Sequence, residues 1–175
     1  FKKYLPIINS LRNPGLRLRH WKFLEENLPL PTLVQQEGDG ALTLSWLLEQ
    51  GLAENQKQMD IISDESEKAT KEYNLEIQLT QMKEEWKPLV FETKDYKGQP
   101  ILSATDDLQA ILDDHLVKTQ TMTGSPYIKP NKLAADTWEK MLVYVQDLLD
   151  EWLLVQRDWM SLSPVFSSED IMRQM

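Results

Sequence analysis

The two histidines are the first side chains to consider for metal chemistry, because neutral imidazole is a common metal ligand. His20 and His115 are far apart in the sequence, and the chain contains no cysteine that could complete a thiolate site. The pair could supply half of a metal site if the fold joined them. Histidines in helical segments are more often partly buried residues with one hydrogen-bonded nitrogen. We favour that interpretation and predict no metal site.

Paired carboxylates are the second candidate for chemistry. Acid–base catalysis needs two carboxyl groups that converge in a cleft and have separated pKa values. Neighbouring residues on a helix diverge by about 100°, so adjacent acids favour a solvated helix face instead. Asp106 and Asp107 would also suit the positive end of a helix. The pairs are Glu84-Glu85, Asp106-Asp107, Asp113-Asp114 and Asp150-Glu151. No base is adjacent to serines such as Ser125 and Ser161, so we predict no catalytic residues.

Glycine-rich phosphate loops are missing. The six glycines are scattered, and none belongs to a GxxxxGK or GxGxxG pattern. We therefore expect that this chain holds no cofactor and neither binds nor hydrolyses ATP.

Charge and hydropathy restrict the partners. Residues 1–22 hold six basic side chains and no acid, whereas the whole chain has a net charge of −9. The basic end could meet an acidic partner or simply balance the acidic body beside it. We favour the second interpretation and predict no nucleic-acid partner, because the aromatic interleaving used to bind single strands is absent. No apolar run approaches the ~20 residues of a membrane span, so no membrane partner is predicted either.

Hydrophobic periodicity predicts a mainly α fold, an elongated multi-helix bundle with one small β-hairpin at about 89–103. Thr105 is the expected N-cap of the penultimate helix, and Ser63-Asp64 is a point where the first long helix could break.

The start at Phe1 and the unfinished helix at the end predict an excised segment of a longer chain. The expected order is short helices and a mobile loop (1–53, with the loop at 29–41 and a helix after Thr43), a long helix (54–87), the hairpin (88–104, first strand 89–93), a helix (105–122), a long Trp-rich helix (130–162) and a truncated helix start (167–175).

The Trp-rich helix carries the most informative pattern. Trp138, Val145, Trp152 and Trp159 follow at heptad spacing, beside a second row that contains Met141, Leu148, Val155 and Leu162. We expect the tryptophans to be core anchors, each with a polar edge near the surface. On that basis Trp152→Ala would cost about 3–5 kcal/mol if the site is fully buried. A compatible alternative is that the row lies partly on a surface that docks on another domain. The candidate structural or docking residues are Trp21, Trp86, Trp138, Trp152, Trp159 and Phe166.

The long helices have a second expected property. Neither predicted span contains an internal proline or glycine, which are the usual causes of kinks. We expect their apolar stripes to pack on each other and on the helix at 106–121, so that the segment forms one stiff body.

With these motifs in order, the chain resembles the linker region (N-terminal region 2) of dynein heavy chains. The resemblance covers nearly the whole sequence, and two motifs are similar to the axonemal type: Leu11-Arg12-Asn13-Pro14-Gly15 and Phe166-Ser167-Ser168-Glu169-Asp170-Ile171. Ser161 and Ser163 depart from the family pattern, in which an aromatic residue and an acid usually stand. Further motifs that carry the resemblance are Arg19-His20-Trp21, Glu85-Trp86, Asp106-Asp107-Leu108, Ser125-Pro126-Tyr127, Trp138-Glu139-Lys140-Met141-Leu142, Asp150-Glu151-Trp152 and Val155-Gln156-Arg157-Asp158-Trp159.

The resemblance implies a mechanical role. In dyneins the linker is a helical lever that lies across a ring of AAA+ modules and bends and straightens as the ring hydrolyses ATP. The implied partners are the AAA+ ring of the same parent chain and, through that chain, other dynein subunits and the microtubule. ATP and Mg²⁺ would bind further along the parent chain, beyond Met175, and the location would be the cytoskeleton of the ciliary or flagellar axoneme.

A non-enzymatic helical scaffold or adaptor for an elongated protein partner is the alternative, and an uncharacterised enzyme is a more distant one. A longer sequence would separate the first two hypotheses, because a lever predicts several Walker motifs downstream and an adaptor predicts none.

Overall fold

The computed structural model describes residues 4–28, 49, 51, 55–166 and 173. Five helices and one hairpin lie in these ranges, which confirms the prediction of a mainly α fold with a small β-hairpin. The predicted loop at 29–41, the helix after Thr43 and the helix start at 167–175 lie outside them, with single positions excepted. The elements are α1 (Leu5–Leu11), α2 (Leu18–Asn27), α3 (Gln56–Trp86), β1 (Thr93–Tyr96), β2 (Gln99–Leu102), α4 (Thr105–Thr123), a 3-10 turn (Lys129–Asn131) and α5 (Lys132–Phe166).

The chain forms two compact units, Phe1–Gln78 and Leu79–Met175, and the boundary falls within α3. Each unit has its own buried cluster. The predicted packing of all the long helices into one stiff body stays a prediction. Among the helices that the structure describes, none is long and apolar enough to cross a membrane.

The first unit is built around the apolar face of α3. Ile7 of α1, Leu24 of α2 and Ile62 of α3 are buried together. Pro6 lies in the first turn of α1, where its missing N–H costs nothing, and so begins this helix rather than interrupting it. The possible break of α3 at Ser63-Asp64 is absent, because burial of one helix face outweighs the weak helix propensity of two exposed polar residues.

The turn between α1 and α2 is held directly on α3. The side-chain amide of Asn13 donates a hydrogen bond to the backbone oxygen of Ser66 at 2.7 Å, and its oxygen accepts one from the Gly15 N–H at 2.9 Å. This brings the Gly15 backbone so close to α3 that a Cβ there would lie 2.6 Å from the Ala69 carbonyl oxygen. The close approach therefore requires glycine at position 15.

His20 joins α2 to α3 in the interior of the first unit. It is 0% exposed, and its Nδ1 accepts a hydrogen bond from the backbone N–H of Arg17 at 2.9 Å. Because a backbone N–H can only donate, the ring proton lies on Nε2, which is 3.0 Å from Oε2 of Glu72. Arg19 also pairs with Glu72. Burial lowers the pKa of His20 from its usual 6.5, against the opposing effect of the Glu72 carboxylate, so the imidazole is neutral at pH 7.

The hairpin belongs to the second unit and turns through two residues with positive φ, Lys97 (54°) and Gly98 (80°). This is the turn geometry that matches the twist of paired strands. It pairs Tyr96 with Gln99 and Thr93 with Leu102, so the predicted first strand at 89–93 is wrong. If the strands continued in this register, residues 89–91 would pair with residues 104–106. Those residues cannot form a strand, because α4 begins at Thr105.

Two further boundaries differ from the predictions. Thr105 is the first residue of α4 and not its N-cap, because the preceding Ala104 adopts a left-handed conformation and no side chain caps the helix. α5 continues through Pro164 to Phe166, past the expected end at 162. A proline so close to a helix end removes only one backbone hydrogen bond in the last turns, where packing of the preceding residues can keep the helix intact.

We predict that Gly15→Ala destabilises the chain by about 1–3 kcal/mol, since the added methyl group meets backbone atoms of α3 that cannot move independently. Urea titration followed by circular dichroism would measure the loss. Gly124→Ala is the matched control, because its Cβ would meet nothing closer than 3.5 Å. Equal stability of the two variants would contradict the close approach.

Acidification should destabilise the chain through His20. Its pKa is lower in the folded than in the unfolded state, so the unfolded chain takes up the proton first as the pH falls. The contribution of neutral His20 to the free energy of unfolding is therefore fully present above about pH 6.5. It is lost as the pH falls towards the lowered pKa. Urea unfolding at pH 7.5 and 5.5 should show a smaller pH dependence for His20→Gln than for the unchanged chain. An identical pH dependence of the two would refute the assignment.

Candidate docking surface on the last helix

Each histidine has its own hydrogen-bond partners within one unit. His20 belongs to the first unit and His115 to the second, and each is buried with both ring nitrogens in hydrogen bonds. The described ranges contain no group of three His, Asp or Glu side chains that could hold a metal ion. The sequence predicts partly buried helix residues with one hydrogen-bonded nitrogen; both histidines lie in helices, but both are fully buried and use both nitrogens.

His115 fixes Trp86 at the end of α3. The indole N–H of Trp86 donates to Nδ1 of His115 at 2.8 Å, and Nε2 of His115 lies 3.0 Å from Oε2 of Glu85. An indole N–H has no acceptor capacity, so the ring proton of His115 must lie on Nε2. Glu84 points elsewhere and pairs with Lys87. These adjacent carboxylates thus diverge, as expected for a helix, and make structural contacts.

Trp138 lies at the inner end of the tryptophan row. Its ring meets Trp86 edge to face, with centroids 6.3 Å apart, and the ammonium group of Lys83 lies 5.9 Å from its centroid. Trp138 is partly buried and packs against the cluster of Leu112, Leu116 and Leu142. The expected polar edge near the surface is wrong for this residue, because its indole nitrogen is buried and has no hydrogen-bond partner among the described residues.

Trp152 and Trp159 are not core anchors. Trp152 is 45% exposed and Trp159 39% exposed. Each covers one residue of the hairpin segment: Trp152 stacks on Phe91 with centroids 6.2 Å apart, and Trp159 meets the ring of Tyr96 at 5.8 Å and 74°. One side of each indole therefore packs on the hairpin while the rest faces solvent.

Helix geometry explains why the row changes environment. Seven residues in a 3.6-residue helix fall short of two full turns by about 20°. From Trp138 to Trp159 the row passes through three heptads, so it rotates by about 60° around α5. In the second half of the helix the inward positions belong instead to Leu149, which is fully buried, and to Gln156, which is half-buried beside β2.

Gln156 attaches the hairpin to α5. Its side-chain amide accepts a hydrogen bond from the Leu102 N–H at 2.7 Å and donates one to the Leu102 oxygen at 3.1 Å, as a neighbouring strand would. Pro100 lacks the next donor on the same edge of β2. Together they close this edge to further strand pairing. The sequence pattern alone did not indicate this role for Gln156, whose one signal is its seven-residue spacing from Leu149.

An exposed apolar line remains on the outer face of α5. We name it the outer seam, and its members follow at steps of seven, four, three, four, three and four residues. They span a sector of about 80° on the helix. Val155 is 63% exposed, and every other member is also exposed. The members are Met141, Leu148, Trp152, Val155, Trp159, Leu162 and Phe166.

The six candidate docking residues thus have different environments. Trp152, Trp159 and Phe166 lie on the outer seam. Trp86 and Trp138 lie inside the second unit, and Trp21 packs, partly buried, on the core of the first unit. The alternative that the tryptophan row lies partly on a surface is supported by these exposures, but only for its second half.

We predict that Trp152→Ala lowers the free energy of unfolding by less than about 2 kcal/mol, below the 3–5 kcal/mol of a buried tryptophan, because much of the ring is already in water. Leu149→Ala, three residues earlier on the buried face, should cost about 2–5 kcal/mol. Urea titration of both variants makes the comparison. A larger loss for Trp152→Ala than for Leu149→Ala would contradict the orientation of α5.

Comparison with known proteins identifies the family of this chain. The family described as dynein heavy chain, N-terminal region 2, matches residues 1–175. Human Dynein axonemal heavy chain 1 is 41% identical over 177 residues, which cover 100% of this chain and 4% of that protein. Human Dynein axonemal heavy chain 3 is 42% identical over 179 residues, with the same coverage of both chains. Human Dynein axonemal heavy chain 12 is 41% identical over 91% of this chain and 5% of its own length. The chain therefore belongs to the dynein heavy chain family, as its N-terminal region 2.

Proposed function

We propose that this chain is part of the mechanical linker of an axonemal dynein heavy chain. It would couple ATP-driven changes in an AAA+ ring to microtubule-based movement of cilia or flagella. Its relatives are named axonemal, which supports a location in the cytoskeleton of the axoneme. The proposed partners are the AAA+ ring of the same heavy chain and, through that chain, other dynein subunits and the microtubule.

The bracing of α5 within the second unit is the observation that carries the proposal. This helix has 35 residues and extends about 50 Å at 1.5 Å per residue. The leucines of α4 hold it at Leu142, and the hairpin holds it again at Trp152, Gln156 and Trp159. A helix supported at several levels resists bending between them, which is what transmission of force requires.

The proposal assigns no catalytic role to the segment itself. The conspicuous titratable groups serve as structural links: His115 with Trp86 and Glu85, and His20 with Glu72. We propose that ATP and Mg²⁺ bind elsewhere in the heavy chain, and that this region supplies stiffness and docking surface.

The test is a Gly-Pro insertion after Val145 in the intact heavy chain. Proline removes a backbone hydrogen bond and clashes with the preceding turn, so it breaks the braced helix near its middle. We expect microtubule gliding to slow sharply while ATP hydrolysis persists.

The matched control inserts the same dipeptide between Lys97 and Gly98, in the exposed hairpin turn, where a longer loop costs little. Heavy chains with that insertion should move microtubules at the unchanged gliding speed. Unchanged gliding after the insertion at Val145 would reject the lever and favour the scaffold hypothesis. Equal slowing by both insertions would also reject it, because the effect would not depend on α5.

A further inference from the structure

The outer seam of α5 has the residue spacing of a helix-pairing surface. Alternating steps of four and three residues produce the a and d positions at which one helix inserts side chains between those of another. Val145 fills the single gap in this pattern, between Met141 and Leu148, and is partly buried against the core. From Met141 to Phe166 the seam extends about 38 Å. Exposed apolar surface of this extent usually marks a site of interaction.

The structure favours a helix over a strand as the occupant. A strand would need an open sheet edge beside the seam, and the nearest edge, that of β2, is closed by Gln156 and Pro100. A helix needs no backbone partner, because its own hydrogen bonds are internal. It needs only an apolar stripe with the same spacing.

One flank of the seam is acidic. Asp147, Glu151 and Asp158 lie about 60–100° to one side of its centre, with Lys140 as the single basic residue on that side. Asp158 pairs with Arg157, whereas neither Asp147 nor Glu151 forms a salt bridge with any residue that the structure describes. Charges beside an a/d seam select partners of opposite sign, so the expected occupant carries lysine or arginine along the facing flank.

A second copy of this chain fits poorly. In an antiparallel pair of α5 helices the acidic flank of one copy would face the acidic flank of the other. In a parallel pair it would face the opposite flank, where Phe91 and Tyr96 of the hairpin segment already pack on Trp152 and Trp159. Repulsion opposes the first arrangement, and steric overlap opposes the second.

We propose that an amphipathic helix of the same heavy chain, with basic residues on one flank, covers the outer seam. The relatives contain far more chain than this region, which spans 4% of their length, so the heavy chain can supply such a helix. A tethered helix also binds at high effective concentration, which lets a modest contact persist. This inference rests on the proposed function only in placing the segment within a complete heavy chain.

Thiol labelling of the intact heavy chain tests whether the seam is covered. This region has no cysteine, so Val155→Cys introduces one thiol on the seam and Ser161→Cys introduces one on another exposed face of α5. Maleimide labelling, read from the corresponding peptides by mass spectrometry, should be about tenfold slower at position 155 than at position 161, and equal at the two positions in urea. Equal rates in the native motor would overturn the proposal.

The effect of the acidic flank on binding is tested in the intact heavy chain that carries Val155→Cys. Glu151→Lys should raise the labelling rate at position 155 severalfold, because it places a positive charge against a basic helix. Asp150→Lys makes the same charge change on the adjacent exposed residue, away from the seam, and should leave the rate unchanged. No response to Glu151→Lys, or an equal response to both substitutions, would overturn the basic flank.

Carbodiimide coupling identifies the occupant, since it joins carboxylates directly to neighbouring lysine amines. Asp147 or Glu151 should couple to lysines of a helix in the same heavy chain, and mixing isotopically labelled and unlabelled motors separates links within one chain from links between copies. Coupling to a second copy or to another polypeptide would refute the proposal. The gliding experiment depends on none of these readouts, so the lever and the covered seam can fail separately.

Discussion

The mismatch between a seven-residue repeat and a 3.6-residue helix organises the second unit. Because the heptad row of α5 rotates by about 20° per repeat, it begins among the leucines of α4 at Trp138 and reaches the outside by Trp159. The hairpin covers the part of the row that leaves the core. Its short strands could not stand alone, and Phe91, Tyr96 and Leu102 gain partners only because α5 presents Trp152, Trp159 and Gln156 to them.

Two buried histidines make similar hydrogen bonds inside separate units. His20 links α2 to Glu72 of α3, and His115 links α4 to Glu85 and Trp86 of the same helix. In both residues Nδ1 accepts a hydrogen bond from an N–H group that can only donate, so the ring proton lies on Nε2. Buried polar groups with all their partners in place specify one arrangement, since any shift leaves a group unpaired. These residues therefore fix the alignment of the helices that they join.

Family membership and the exposed seam are two independent observations that bear on the proposed function. The family match assigns the chain to N-terminal region 2 of dynein heavy chains, and the chain spans 4% of the length of its relatives. The proposed force-transmitting role rests on the braced α5, and the proposed covering helix rests on the exposed apolar line of α5. Neither observation requires a reactive group in this region.

The sequence by itself determined the long helices, the presence and place of the hairpin, and the family, because these depend on local periodicity, on turn residues such as Lys97-Gly98 and on motif order. It did not determine which sector of α5 is buried. Rows of similar hydrophobicity at neighbouring angles are equivalent in sequence, and only the positions of α4 and the hairpin decide that Leu149 is inside while Trp152 and Val155 face out. The same applies to Gln156, Ala104 and Gly15, whose roles arise from backbone atoms distant in sequence or from an unusual local dihedral angle. Local propensity selects elements, whereas the contacts made between elements select the faces they bury and the residues that join them.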